Sequence, residues 1–276
     1  MNNSLYICPL CQHPLLMQNN IFRCQNNHCF DVAKEGYVNL LPVQHKHSKD
    51  PGDNKAMVNA RRMFLEQGFY QPLRDKIVAL CQHYINGKNI LDAGCGEGYY
   101  THAHQQGRQN VYGVDIAKNA VKIAAKKYKS CHFSVGSIAS LPFKDEQFDW
   151  LYSIYAPIKI EEFHRLLSSD GYLLTVTPGA DHLWELKQLI YQNPLKHQVT
   201  PVQYSGFDLI MEENLDYEMT FNDSQQSLNL LAMTPFAFKT SKNLIDELSS
   251  CGEFRCRADF KIRLYKKSAQ SSVHQA

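Results

Sequence analysis

One stretch of the sequence, Ile90 to Tyr100, limits the folds open to this chain more than any other. It reads as an apolar strand that ends in a turn with Gly94, Gly96 and Gly98, and Asp92 lies two residues before the first glycine. Glycines let a backbone turn sharply and approach a ligand closely, and the helix after such a turn points free N–H groups at the same place. The stretch therefore predicts a ligand site between a parallel strand and a helix.

The spacing of the glycines and the acids around them favours a cationic ligand. The pattern is G-x-G-x-G rather than the G-x-G-x-x-G of dinucleotide enzymes, and Asp92 places a negative charge where it would repel a pyrophosphate. A second acid, Asp115, closes the strand 111–115 about 20 residues past the glycines, the spacing of an acid that binds ribose hydroxyls. S-adenosylmethionine carries a ribose, an ammonium and a sulfonium, and it fits this combination. The alternative is that both acids only end strands and cap helices.

The alternation of strands and helices around the turn predicts an α/β fold. Apolar runs separated by helical segments are typical of a doubly wound sheet. The glycine turn and Asp115 resemble the first two motifs of the S-adenosylmethionine-dependent methyltransferases with a Rossmann-like fold. We therefore expect a Rossmann-like class I methyltransferase sheet, with strands at 89–93, 111–115, 132–135, 149–154 and 172–177.

Further candidates for the site come from the ends of the other predicted strands, because ligands of such sheets bind outside the carboxyl ends. Ser137 and Ile138 follow the third strand, where we expect adenine. His182 follows the fifth strand and is a candidate contact of the cofactor carboxylate or of the target, or else a surface residue that caps a helix. A helix break at 68–72 places Tyr70 at the start of a helix, either as a lid over the cofactor or as an ordinary half-buried tyrosine.

The N-terminal 30 residues contain a metal-binding pattern. C-x2-C-x12-C-x3-H suits tetrahedral zinc held from two loops, and metal binding would supply the folding energy of a module this small. Four protein ligands leave no position for water, so the site is interpreted as structural. Cys29 is an alternative fourth ligand, and His13 is a weaker one. The predicted ligands are Cys8, Cys11, Cys24 and His28, and the fold class therefore includes a small N-terminal zinc-binding domain.

Two basic segments are candidate phosphate contacts. Residues 44–53 include His45, Lys46, His47 and Lys49 and end in a turn signal, so they are either an exposed phosphate-binding loop or a solvated linker. Residues 254–265 alternate as a strand with basic side chains mostly on one face. We expect this strand at an edge of the sheet, where charge prevents aggregation, or on a phosphate-binding surface.

The composition sets broad limits on function. A net charge of +2 neither requires nor excludes a nucleic-acid partner. We find no apolar run long enough to cross a membrane and no secretory signal at the N-terminus. The nine cysteines are odd in number and unevenly placed, which indicates a reducing compartment and hence the cytoplasm.

Several blocks of the sequence resemble the zinc-containing bacterial 23S rRNA (guanine-N1)-methyltransferases of the RlmA type. The resemblance covers nearly the whole chain, with one departure at Ser168-Ser-Asp-Gly171, where related enzymes often carry Pro-Gly-Gly. Besides the cysteine pattern and the glycine turn, the matching blocks are residues 31–42, Gln44-His-Lys, Asp50-Pro-Gly-Asp53, Ala60-Arg-Arg, Tyr70-Gln-Pro-Leu-Arg74, Ile154-Tyr-Ala-Pro157, Thr177-Pro-Gly179 and Met233-Thr-Pro-Phe236.

The resemblance implies methyl transfer from S-adenosylmethionine to N1 of a guanine in the hairpin 35 loop of 23S rRNA by a homodimer. It implies zinc ligation by the four predicted residues, His28 rather than Cys29 among them, and cofactor contacts at Tyr70, Gly96, Glu97 and His182, with Asp115 on the ribose. The expected domains are residues 1–43 for zinc-binding RNA recognition, 44–56 as a linker, 57–268 for methyl transfer and 269–276 as a disordered tail.

Three residues are candidates for the chemistry of the methyl transfer. Guanine N1 carries a proton at neutral pH, so this proton must leave as the methyl arrives. Tyr155 is a candidate for stacking on the target base, and Glu161 or Asp181 is a candidate proton acceptor, as is water. Two other functions remain open, namely a methyltransferase for a small molecule or protein with a purely structural zinc module, and a non-catalytic RNA-binding protein.

Overall fold

The computed structural model of the protein describes residues 4–45, 52–85, 87–104 and 109–269. A sheet of eight strands forms its centre, and the strand order is β10-β11-β9-β8-β5-β6-β7-β4. Strands β4 to β9 pair in parallel, whereas β10 and β11 are antiparallel additions at one side. The strands are β4 (Tyr37–Asn39), β5 (Asn89–Ala93), β6 (Asn110–Asp115), β7 (His132–Val135), β8 (Phe148–Ile154), β9 (Leu167–Pro178), β10 (Phe207–Phe221) and β11 (Phe254–Lys267).

Helices cover the sheet, and their ends follow the local sequence. Asn54, Asp223 and Ser241 accept backbone N–H groups as N-caps of three helices, as short polar side chains do. Pro72 lies in the first turn of another helix, where it removes no needed donor. The helices are α1 (Lys55–Glu66), α2 (Gln71–Tyr84), α3 (Tyr99–Ala103), α4 (Lys118–Lys127), α5 (Ile160–Leu166), α6 (Trp184–Ile190), α7 (Ser224–Ala232) and α8 (Lys242–Ser250), with short 3-10 turns at Val43–His45 and Pro235–Lys239.

The five strands predicted for the parallel part of the sheet are confirmed, and with them the Rossmann-like fold class. The central strands are apolar without alternation because helices cover both faces of a parallel sheet. Trp150, Leu151 and Tyr152 of β8 are all fully buried. The strand order reverses between β5 and β8, and the crevice at such a reversal is the usual ligand site of this architecture.

The N-terminal module is an antiparallel three-stranded ribbon of β1 (Leu16–Gln18), β2 (Ile21–Arg23) and β3 (Cys29–Asp31). Tyr6 connects it to the main sheet, since its ring is stacked on Phe143 at 5.1 Å and packs edge-on against Phe22 and Tyr112 at 5.6 Å. The chain then enters β4, which pairs with β7 as the edge strand of the parallel sheet. The ribbon is therefore packed directly against the main α/β fold.

The expectation that residues 254–265 form an edge strand is wrong, because β11 lies between β9 and β10. The true edge, β10, carries acidic residues that neutralise the basic face of β11. Glu212 accepts from Arg263 at 2.7 Å and from Lys261 at 3.1 Å. This pairing satisfies the basic side chains within the sheet and removes the reason to assign them to phosphate. The basic loop residues 46–51 and the tail residues 270–276 lie outside the described residues.

None of the helices in the described ranges is both long and apolar enough to span a membrane.

Candidate cofactor and base site

A cavity of about 650 Å³ opens at the carboxyl ends of the parallel strands. The loops after β5, β6, β7 and β8 form one wall, and α1 with the Met233–Phe236 segment forms the other. Its size lies within the range of small-molecule sites, about 300–1,000 Å³. The predicted site residues that line it are Tyr70, Gly94, Gly96, Glu97, Asp115, Ser137, Ile138, Tyr155 and His182.

The glycine turn gives the cavity an open floor. Gly94 adopts a φ of 94° and its N–H donates to the Val114 carbonyl at 2.8 Å. A Cβ at this position would lie 2.4 Å from the Cβ of Ala156, so the two loops meet only because the residue is glycine. Gly96 adopts a φ of 52°, and a Cβ there would meet no atom of the described residues within 4 Å. Its backbone therefore borders open space on the ligand side.

Asp115 is held at the end of β6 by two backbone donors. Its carboxylate oxygens accept from the Gly96 N–H at 2.8 Å and from the Ala117 N–H at 2.7 Å. Burial raises the pKa of Asp115, and the two N–H groups oppose that rise. Each carboxylate oxygen has a second acceptor position, so Asp115 can also accept from ribose hydroxyls without losing its own supports.

Glu97 is a buried acid without a hydrogen-bond partner. Its exposed fraction is 4%, and neither carboxylate oxygen has a partner in the described part of the chain. Burial raises the pKa of Glu97 to about 7. An unpaired buried carboxylate is costly, so a cationic ligand group beside it would offset that cost.

Asp92 and Gly98 do not belong to the lining, and the structure gives them other neighbours. Asp92 is buried and accepts from the Thr101 hydroxyl at 2.6 Å, and burial raises its pKa to about 7. A Cβ on Gly98 would lie 3.0 Å from Ala124, Phe133 and Tyr128. These two residues therefore stabilise the turn and the start of α3 from the interior of the protein. The Asp92 side chain, and a Cβ at Gly98, would face interior residues rather than the cavity.

His182 joins two tyrosines at the other end of the cavity. Its Nδ1 accepts from the backbone N–H of Asp259 at 3.2 Å, so in the neutral ring the proton lies on Nε2. Nε2 is 3.3 Å from the Tyr70 hydroxyl and 3.2 Å from the Tyr155 hydroxyl. Burial lowers the pKa of His182 to about 3. The histidine is therefore neutral, and its single Nε2–H is shared between the two tyrosine hydroxyls.

Tyr155 presents an aromatic face to the cavity. Its φ of 55° is unusual for a residue with a side chain, and its N–H donates to the Val176 carbonyl at 3.1 Å. The residue remains 43% exposed although its hydroxyl is bonded to His182. Backbone strain of this kind is common at functional sites, and here it turns the ring towards the open space.

Neither Glu161 nor Asp181 is among the described residues that line the cavity. Glu161 is exposed in the first turn of α5. Asp181 forms an ion pair with Lys196 at 2.7 Å. Proximity in sequence to the strand ends suggested both residues, but neither side chain reaches the described lining.

Four charged or histidine residues of the described lining had no role assigned from the sequence, namely Asp53, Arg61, Lys159 and His197. Arg61 lies in a block that matched the resembled family, which was the one signal available for it. Lys159 is the exposed residue before α5. His197 lies in a coil of mixed polarity between α6 and β10, where no periodicity or motif marks it.

The zinc cluster lies in the ribbon, away from this cavity. The ligand atoms of Cys8, Cys11, Cys24 and His28 lie within 4.8 Å of one another. Nδ1 of His28 is 3.4 Å from the Cys8 sulfur and 3.5 Å from the Cys24 sulfur. Tetrahedral bonds of about 2.3 Å to sulfur and 2.0–2.1 Å to nitrogen require similar separations, so the four residues fit zinc. The exposed Cys29 instead donates to the Asn27 carbonyl.

Comparison with known proteins gives matches along both parts of the chain. Residues 6–49 match the N-terminal zinc-ribbon family of RlmA, and residues 85–232 match a methyltransferase domain family. The "Putative 23S rRNA (guanine-N(1)-)-methyltransferase YxjB" of Bacillus subtilis (strain 168) is 32% identical over 282 residues, 96% of this chain and 98% of that protein. The "23S rRNA (guanine(748)-N(1))-methyltransferase" of Streptomyces fradiae is 34% identical over 185 residues, 65% of each chain.

Proposed function

Because the chain belongs to the 23S rRNA (guanine-N1)-methyltransferase family, we propose that it transfers a methyl group from S-adenosylmethionine to N1 of a guanine in the hairpin 35 loop of 23S rRNA. The observation that carries the proposal is the match to a full-length relative across both the ribbon and the catalytic fold. The cavity at the strand ends supports it, because its acids, open glycine backbone and aromatic end suit this cofactor and a nucleobase.

The cofactor site divides into parts with different chemistry. When bound, S-adenosylmethionine supplies the activated methyl group. Asp115 accepts from the ribose hydroxyls, and Ser137 with Ile138 encloses the adenine. The backbone of Gly94 and Gly96 borders the methionine portion of the cofactor. Glu97, Tyr70 and His182 contact the same portion. Asp92 and Gly98 act indirectly, since they hold the turn in place.

The target base is positioned by Tyr155. A loop guanine can be splayed out and stacked on an aromatic ring without breaking a duplex. The His182 hydrogen bond fixes the Tyr155 hydroxyl, so the ring is held before the base arrives. Much of the acceleration in such a transfer comes from positioning, because a bimolecular reaction becomes effectively unimolecular.

The N1 proton needs an acceptor on the cavity side. His182 is occupied at Nδ1 by the Asp259 N–H, and Lys159 is a cation. His197 lies near His182, with ring centroids 6.4 Å apart, and burial lowers its pKa below the ordinary 6.5. It is therefore neutral at pH 7 and can accept a proton. We propose His197 for this role, with water as the alternative carrier.

The zinc ribbon contributes RNA recognition rather than chemistry. Four protein ligands saturate the metal, so zinc serves to fold the module. We assign residues 1–43 to this domain, 44–56 to a linker and 57–268 to the methyltransferase domain. The family resemblance supports a cytoplasmic homodimer, and the contact of Tyr6 with Phe143 would transmit the position of the ribbon to the catalytic fold.

A primer-extension experiment tests the function directly. An unmodified 23S rRNA fragment that contains the hairpin is incubated with the protein and S-adenosylmethionine, then copied by reverse transcriptase. A methyl on N1 blocks the Watson–Crick edge, so we expect a cofactor-dependent stop at one loop guanine. Full-length copies, with no labelled methyl in the RNA, would refute the rRNA activity.

Two controls separate the remaining functions. Cofactor binding without RNA methylation would direct attention to a small-molecule or protein acceptor. RNA binding that weakens steeply with salt, without any cofactor binding, would indicate a non-catalytic RNA-binding protein.

A further inference from the structure

Arg61 is a cation built into the cofactor cavity without an assigned partner there. It lies on α1, whose start is capped by Asn54 and whose buried face includes Phe64 and Leu65. Its guanidinium forms an ion pair with Asp53 and donates through Nη2 to the Met233 carbonyl at 3.2 Å. A guanidinium has five N–H groups, and in the described part of the chain these two contacts leave the others available.

The position of Arg61 lies at the cofactor end of the cavity. Its charge acts on Tyr70, Glu97 and Asp115, lowering the pKa of each against the effect of burial. Lys159 is the other Lys or Arg in the described lining, and it adjoins the Tyr155 loop. The two cations therefore serve different ends of the cavity, one near the cofactor and one near the target.

The arrangement of Arg61 and Glu97 suits an α-amino acid. The methionine portion of the cofactor carries an ammonium and a carboxylate on the same carbon, so its site needs a negative and a positive group side by side. Glu97 is a buried carboxylate with no partner among the described residues, and Arg61 is a cation with available donors in the lining of the same cavity. A guanidinium also matches the planar geometry of a carboxylate better than an ammonium does.

We propose that Arg61 binds the α-carboxylate of the methionine portion of S-adenosylmethionine, while Glu97 binds its ammonium. This inference rests on the proposed use of that cofactor. Asp53 and the Met233 carbonyl hold the guanidinium in place, and these two residues come from separate segments of the chain. The guanidinium would thus bind three groups: the cofactor carboxylate, Asp53 in the turn before α1, and the Met233 carbonyl at the end of α7.

The test compares two ligands and three proteins by isothermal titration calorimetry. The ligands are S-adenosylmethionine and its decarboxylated analogue, which lacks only the carboxylate. The proteins are the parent, Arg61→Gln and the control Arg255→Gln, which removes the same charge from an exposed side chain outside the described cavity lining. Thermal unfolding of each variant confirms that it is folded.

We expect Arg61→Gln to weaken S-adenosylmethionine by about ten-fold or more, the usual effect of losing a charge-assisted hydrogen bond. Its affinity for the decarboxylated analogue should stay within about two-fold of the parent, and Arg255→Gln should bind both ligands as the parent does.

Three outcomes would overturn the proposal. Equal losses for both ligands in Arg61→Gln would indicate a purely structural role. An unchanged affinity for S-adenosylmethionine, with weaker RNA binding, would assign Arg61 to a phosphate. If Arg61→Gln does not fold, the test uses the parent protein alone. Equal affinity of the parent for S-adenosylmethionine and for the decarboxylated analogue would exclude recognition of the carboxylate. A parent that binds neither ligand would instead refute the proposed function, so the two failures are distinguishable.

Discussion

Replacing single glycines of the turn by alanine should separate stability from cofactor binding. Gly94 and Gly96 lie two residues apart, and both have positive φ, at 94° and 52°. A Cβ at Gly94 would lie 2.4 Å from the Ala156 Cβ, whereas a Cβ at Gly96 would meet no atom within 4 Å in the part of the chain that the structure describes. The two substitutions add the same methyl group, so any difference between them reports on the surroundings.

The expected magnitudes follow from these distances. Gly94→Ala combines an unfavourable φ with overpacking against another loop, and should lower the free energy of unfolding by about 2–5 kcal/mol. Gly96→Ala incurs only the backbone cost, about 1–2 kcal/mol. Its methyl group would occupy the ligand side of the cavity, however, and should weaken S-adenosylmethionine by about 10- to 100-fold.

Chemical denaturation measures the free energy of unfolding, and calorimetric titration measures cofactor affinity. Gly252→Ala is the matched control, because a Cβ there meets no atom of the described ranges within 4 Å and its φ lies outside the left-handed region. It should change stability by less than about 0.5 kcal/mol and leave cofactor affinity unchanged. The reasoning is refuted if Gly96→Ala destabilises the protein as much as Gly94→Ala while it binds the cofactor normally.

Three other predictions concern the metal and two titrating groups. Cys24→Ser should lose zinc and unfold the ribbon, whereas Cys29→Ser should keep one zinc per chain by elemental analysis; equal zinc loss in both would contradict the ligand set. Burial raises the pKa of Glu97 from 4.5 to about 7, so folding favours the protonated acid. The ligand-free protein therefore has its full stability below about pH 4.5 and loses part of it as the pH rises through 7. Glu97→Gln should therefore be more stable than the parent at pH 8, by on the order of 2–3 kcal/mol in denaturant titrations, yet bind S-adenosylmethionine more weakly. His197→Gln should lower kcat and remove the acidic limb of the pH–rate profile below its lowered pKa, and an unaltered profile would exclude it as the proton acceptor.

The sequence by itself determined those features that depend on a few neighbouring residues. The five parallel strands are apolar runs, and a strand buried between helix layers needs no partner residue to be recognised. The glycine turn and the C-x2-C-x12-C-x3-H pattern are likewise readable because backbone conformation and ligand spacing act over a few residues. For the same reason the sequence alone predicts Gly96 and Asp115 as ligand contacts, whereas Glu97 was implied by the family resemblance.

The tertiary structure decided which side chains face the cavity and which charges are already paired. Asp92 and Gly98 belong to the glycine motif, yet both face the protein interior. Asp92 binds Thr101, and a Cβ at Gly98 would contact Phe133. The basic face of β11 suggested phosphate until the acidic strand β10 was found beside it.

Arg61 and His197 lie far from the motif in sequence and reach the cavity only through the packing of α1 and of the coil before β10. Contacts between distant segments depend on the packing of the whole chain, and no spacing or periodicity within one segment records them.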